Sequence, residues 1–266
     1  MSTSLVRTRE YLVGQRRAII ARAVAGSLAG TLPIPFLDDW ATATVLGGGY
    51  RRIAAAHHVD LDDAALKTLV HGTSPPASIV DIAAGGIMLR LAGRAARRML
   101  FALATIDRAR SAARTFVTMT LFDHYCAKLH TGLALDTTTA LALRDEIGRA
   151  IDQTPGALAL HPFRRGAMAA ARATLRAPLE LADLATRGAV RRLLTRRSSA
   201  SGITEAEVVD ELEQSIETVL ASKTGFLSRT VAAVEVQLSA EGNPYLDEVL
   251  DTLDRRWKAR LAAAAK

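Results

Sequence analysis

The sequence predicts an all-α fold, a multi-helix bundle with a Pro-x-Pro corner joining its first two helices and a pair of long charged helices at its C-terminal end. Three observations carry that expectation. Apolar residues make up 49% of the chain but aromatics only 5%, so the core is built from Ala, Leu, Val and Ile, a mix that favours helix over strand. Only eight prolines occur, and they fall at points where helical spacing breaks. Apolar positions recur every three to four residues, with no sustained alternation and no internal repeat.

The elements follow in order. A first helix is expected from about Arg7 to Ala29, with Leu12, Ile19, Ile20, Val24 and Leu28 on its apolar side and Arg9, Arg16 and Arg17 towards the polar side. Gly30 stops it, and Pro33 and Pro35 forbid continuation. A second helix starts near Phe36, with Pro35 suited to its first position and Asp38 and Asp39 in the first turn, where carboxylates face the positive end of the helix dipole. It carries Gly47, Gly48 and Gly49, which permit either a close approach of a neighbouring backbone or a kink. A third helix takes Asp60 as N-cap and Gly72 as its stop. Beyond residues 73–76, a small-residue apolar stretch leads into helix that continues to Gly132, and another helix starts at Asp136 and ends at residues 154–156. An arginine-rich helical region is kinked at Pro178, and residues 198–202 read as a Ser/Gly linker. Thr204 with Glu207 then makes a capping box for an acidic helix, and Pro244 opens a last helix of mixed charge. The divisions expected are an apolar glycine-rich helical domain over 1–135, a basic helical region over 136–202, and acidic then mixed-charge helices over 203–266.

Several function classes are disfavoured. Cys126 is the single cysteine, so no intramolecular disulfide and no cysteine-based zinc site can form, and a reducing compartment is expected. Arg7, Arg9, Glu10, Arg16 and Arg17 interrupt any secretory h-region. The longest uncharged run, Ala23 to Leu37, has fifteen residues and two prolines, short of the roughly 20 that a span needs. No Gly-Lys dipeptide exists, which removes a P-loop. His57 and His58 are adjacent and diverge by about 100° on a helix, so they read as a wet helix end rather than a metal site. Asp123, His124 and Cys126 cluster in "FDHYC", yet adjacent residues of one helix point apart, and a nucleophile pair needs side chains that meet. No catalytic residue, metal ligand or cofactor is assigned.

Charge is distributed unevenly. Residues 161–202 hold nine arginines against Glu180 and Asp183, whereas residues 203–254 hold twelve acids against Lys223 and Arg229. The basic set is Arg164, Arg165, Arg172, Arg176, Arg187, Arg191, Arg192, Arg196 and Arg197. Three readings stand for it, in descending order: a solvated face neutralised by the acidic helix, an anionic lipid surface, and nucleic acid. The last fares worst because Phe163 is the block's one aromatic for base stacking.

Residues 25–70, "AGSLAGTLPIPFLDDWATATVLGGGYRRIAAAHHVDLDDAALKTLV", resemble the GTPase-associated bacterial helical family of unknown function that includes the YcjF-type inner-membrane proteins. EcsC-type proteins share a comparable corner. Residues 77–130 are similar to the family's later small-residue hairpin. This chain departs from the family where "LGGGYRR" stands, and where His57-His58 replace a glycine that commonly precedes the third helix. The resemblance implies membrane proximity and association with a GTPase, and it carries over no catalytic residue. On it, Leu32, Ile34, Phe36 and Leu37 form the tip of a hydrophobic hairpin that dips into a bilayer or a partner groove, with Arg22, Arg51 and Arg52 near headgroups. Asp38 and Asp39 favour a shallow corner, since intramembrane carboxylates are expensive.

The function expected is therefore a non-enzymatic helical protein at the cytoplasmic face of a membrane, touching its anionic surface and serving as scaffold or partner of a separate GTPase. The alternative is a soluble helical interaction module whose corner is core. An enzyme using Asp123, His124 or the His57-His58 pair ranks third, and gains only if those residues converge with other polar groups.

Overall fold

The computed structural model describes residues 9–29, 37–73, 97–154, 156–158, 231–236, 238 and 244–264, with side chains described over 9–24, 45–73, 110–154, 156–158, 231–236, 238 and 245–264. The fold is all-α. A 3-10 turn, Glu10–Leu12, leads into α1 (Val13–Ala29). It is followed by α2 (Leu37–Ala56), α3 (Asp63–His71), α4 (Arg97–His124), α5 (Thr137–Gln153) and α6 (Pro244–Ala264). A π-helical turn, Tyr125–Leu129, extends α4. Among the described residues there is no strand, only an isolated parallel bridge between Asp60 and Ala134.

The central element is α4, which packs on α1, α2, α5 and α6. Phe116, Met119, Leu121, Phe122 and Tyr125 are all within 2% of full burial, and each such side chain contributes roughly 1.5–3 kcal/mol by leaving water. Tyr50 meets Phe122 edge-on at 4.6 Å, and Trp257 does the same to Tyr125 at 5.0 Å, a geometry aromatic quadrupoles favour. One core takes in buried residues from α1 through α6 and from 231–238.

Helix ends follow local chemistry. Asp136 caps α5 by accepting from the Thr139 N–H at 2.6 Å, as its position in the sequence predicts. Gly72 closes α3 at φ +66°, a left-handed conformation that suits glycine. The expected cap of α3 is corrected: Asp62, not Asp60, accepts from the Ala65 N–H at 2.6 Å. Asp60 is drawn instead into the bridge, where its N–H donates to Leu133 and its carbonyl accepts from Leu135. The end of α2 is a Schellman turn, with Val59 N–H to Ala54 and His58 N–H to Ala55. His58 occupies its left-handed position at φ +57°, where a glycine is usual.

Within the glycine run of α2, Gly49 makes room for neighbouring side chains, not for a neighbouring backbone. The helix is continuous through the run, and a Cβ on Gly49 would stand 2.5 Å from Met119 Cε and 3.2 Å from Arg22 Cδ. That contact also corrects the expectation for Arg22. Only 3% exposed, it lies inside the bundle rather than near headgroups. Arg51 instead pairs with Asp63 at 2.7 Å.

Candidate functional site

Side chains from four distant parts of the chain meet at the C-terminal end of α4. Asp123 and His124 lie on adjacent positions of that helix, so they leave it in different directions, and each finds its own partner. Asp123, 1% exposed at its side chain, accepts from His57 Nε2 at 2.6 Å across the end of α2. His124, 3% exposed at its side chain, is held at both ring nitrogens: Nδ1 stands 2.5 Å from the Tyr11 hydroxyl, and Nε2 stands 2.6 Å from Asp254 Oδ1 of α6.

The proton inventory of this relay has one consistent solution. Asp254 as a carboxylate accepts only, so His124 Nε2–H donates to it, and Nδ1 accepts from the Tyr11 O–H. Arg9 reaches α6 through Asp251 at 2.7 Å and Asp247 at 3.4 Å. Lys128 sits 5.0 Å over the Tyr11 ring. Charging His124 would turn Nδ1 from acceptor into donor and take from the Tyr11 O–H the acceptor it has there. Burial, above all, pulls the His124 pKa down, with Asp254 opposing it and Arg9 reinforcing it. Burial likewise raises the Tyr11 phenol and pushes the Asp123 carboxyl up, the latter against His57.

Three buried polar atoms in and beside the relay stand without hydrogen-bond partners: Arg9 Nε, Asp123 Oδ2 and His130 Nε2. His130 follows the π turn, bonding the Tyr125 hydroxyl through Nδ1 at 3.3 Å and the Tyr125 carbonyl through its N–H at 2.8 Å. Burial lowers its pKa too. A second clamp joins α5 to α6, where Glu146, 5% exposed at its side chain, accepts from Arg256 at 2.6 Å and Arg149 at 3.1 Å.

What this geometry does chemically follows from occupancy. Both nitrogens of His124 are engaged by internal partners, which leaves no lone pair for a substrate. His57 is oriented by a buried carboxylate and is 21% exposed at its side chain, but among the described residues no activated nucleophile accompanies it. Burial pushes the Cys126 thiol far above its ordinary pKa, which makes it inert. Among the described residues no group of three His, Cys, Asp or Glu side chains is placed to hold a metal ion. The arrangement is a closed clasp that ties the N-terminal turn, the end of α2 and the last helix to α4.

Of the residues assigned from sequence, Leu32, Ile34 and Phe36 of the corner lie outside the described residues. So do Arg164, Arg165, Arg172, Arg176, Arg187, Arg191, Arg192, Arg196 and Arg197. Leu37 opens α2. Of the clasp, the sequence offers Asp123, His124 and His57, and the structure adds Tyr11 and Asp254 and joins them. A signal was present: Phe116, Met119 and Asp123 fall at i, i+3 and i+7 on α4, so a carboxylate occupies the core-facing stripe and requires a buried partner. Compared with known protein families, curated proteins and solved structures, the chain finds no match.

Proposed function

We propose that the chain is a non-enzymatic helical scaffold that lies against the anionic cytoplasmic face of a membrane, with the corner between α1 and α2 as its contact and a separate GTPase as its protein partner. The observation that supports this most is the polarity of the α1–α2 pair. Tyr11, at the start of α1, and His57, at the end of α2, both meet the C-terminal end of α4. The two helices therefore run antiparallel, with Val13 and Ala56 at the clasp end and Ala29 and Leu37 at the other. Among the described residues no helix is long and apolar enough to cross a membrane, which fits a peripheral contact. The GTPase rests on the family resemblance of residues 25–70. The closed state of the clasp supports the non-enzymatic half of the reading.

Flotation with liposomes tests it. The protein should rise with vesicles containing phosphatidylglycerol, and Phe36→Asp or Arg191→Glu with Arg192→Glu should return it to the bottom fraction. Salt separates the contributions: apolar insertion persists at moderate ionic strength, while arginine contacts are screened. Protein that stays at the bottom with every vesicle, while Phe36→Asp lowers the melting temperature, would make the corner part of a soluble core and end the membrane reading.

A further inference from the structure

Away from the clasp, a cleft of about 500 Å³ opens between α2, α3, α4 and α5, a size within the range of small-molecule sites. We propose that this cleft binds an amphiphilic phosphate, with the phosphate group on Arg114 and Arg144 and an apolar body laid along Tyr50, Leu69, Val70 and Ile147. This goes beyond the membrane reading and does not depend on it.

The charges of the lining are what the clasp lacks. Arg114 and Arg144 are exposed and line the cleft. Among the described residues neither has a carboxylate within ion-pair distance. A guanidinium with no internal partner is free to form a bidentate bond with a phosphate oxygen pair. Arg149 also lines the cleft but is engaged by Glu146 at 3.1 Å. Asp145 and Asp152 lie on the rim, so three arginines face two carboxylates. That balance suits a singly bound phosphate ester better than a polyanion.

The floor is shaped as well as apolar. Tyr50 and Leu69 are 2% exposed and Ile147 is 3% exposed, so they fix the base of the cleft, and the partly buried Leu46 and Val70 are the apolar side chains that open into it. Arg144 is placed by glycine: a Cβ on Gly72 would stand 2.5 Å from Arg144 Nη1, so the guanidinium lies over bare backbone. Its charge reaches the Tyr50 hydroxyl, opposing the burial that raises that phenol. Gly148 lines the cleft from α5, and a Cβ there would meet nothing within 4 Å. The absence of a side chain at that point keeps the space open.

Dihexanoyl phosphatidic acid, below its micelle concentration and titrated calorimetrically into the full chain at low salt, is the probe. Saturable binding at one site is expected, weakened at least tenfold by Arg114→Gln with Arg144→Gln. Gly148→Leu, which fills the cleft and removes no charge, should weaken it to a similar degree, and circular dichroism melts verify that both variants fold. Dihexanoyl phosphatidylcholine and inorganic phosphate each supply only part of the recognition and should bind at least tenfold more weakly. Inorganic phosphate binding as tightly as the lipid, or lipid binding unmoved by both variants, would overturn the proposal. Binding seen only with phosphatidic acid vesicles, and indifferent to the cleft variants, would overturn it too and assign the contact to another surface.

Discussion

Charge is used in two ways along α4 and its neighbour α5. At the C-terminal end of α4, Asp123 and His124 are buried, and their partners come from residues 66 to 130 positions away. Midway along α4 and across to α5, Arg114 and Arg144 are exposed and unpaired among the described residues. The first set spends its charge on holding elements together. The second leaves its charge for something outside the chain. Burial, not residue type, separates a clasp from a candidate binding surface here, because burial forces every polar atom to find an internal partner or forgo hydration.

The sharpest way to break that contrast is to remove one member of each set. His124→Ala strands the Tyr11 hydroxyl and the Asp254 carboxylate and leaves a cavity, so it should cost about 3 kcal/mol in urea unfolding. The Arg114→Gln, Arg144→Gln pair should change stability by less than about 0.5 kcal/mol, as exposed charges usually do. Equal losses in the two would show that the cleft arginines also hold the fold.

Acidity sharpens the comparison next. The folded pKa of His124 and of His130 is depressed below the ordinary 6.5. The folded state therefore binds fewer protons than the unfolded chain, and the associated stability is present above pH 6.5 and lost as pH falls through the folded values. Asp123 acts with the opposite sign, because its pKa is raised above 3.8 and folding favours its protonated form, an effect lost as pH rises. Denaturation midpoints should drop from pH 7.5 to pH 5.5, and His124→Gln should flatten that slope. A midpoint that holds level in the unmodified chain would mean that His124 charges without loss.

The smallest expected effect comes from the turn beside the clasp. His58 bears a side chain at φ +57°, a conformation that costs roughly 1 kcal/mol outside glycine. His58→Gly should raise stability by about that amount and leave the His57–Asp123 bond intact, read by the melting temperature and by the chemical shift of the His57 ring.

Much of the fold was legible in the sequence because caps and breakers act over three or four residues. Asp136, Gly72 and Pro244 mark helix ends where the structure has them. Asp60 and Asp62 show where that reasoning stops. Both fit an N-cap spacing, and the choice is made by the bridge to Leu133 and Leu135, more than seventy positions along the chain. The clasp was hidden for the same reason. Adjacency correctly implied that Asp123 and His124 diverge, but it said nothing of Tyr11, His57 and Asp254 waiting in two different directions. The acids of the last helix illustrate the limit from the other side. Asp247, Asp251 and Asp254 read in the sequence only as part of an acidic stretch, and the fold gives them Arg9 and His124 as partners.

Arg9 and Asp251 are 242 positions apart. On a ribosome adding on the order of 5–20 residues per second, Arg9 and Tyr11 emerge tens of seconds before the helix that completes their bonds. Throughout that interval Arg9 lacks the carboxylates of α6, and His124, when it follows, lacks Asp254. Until Asp247, Asp251 and Asp254 leave the exit tunnel, the first helix has its apolar packing on α2 and α4 but not this latch, and a chain cut short before them would end its synthesis without it.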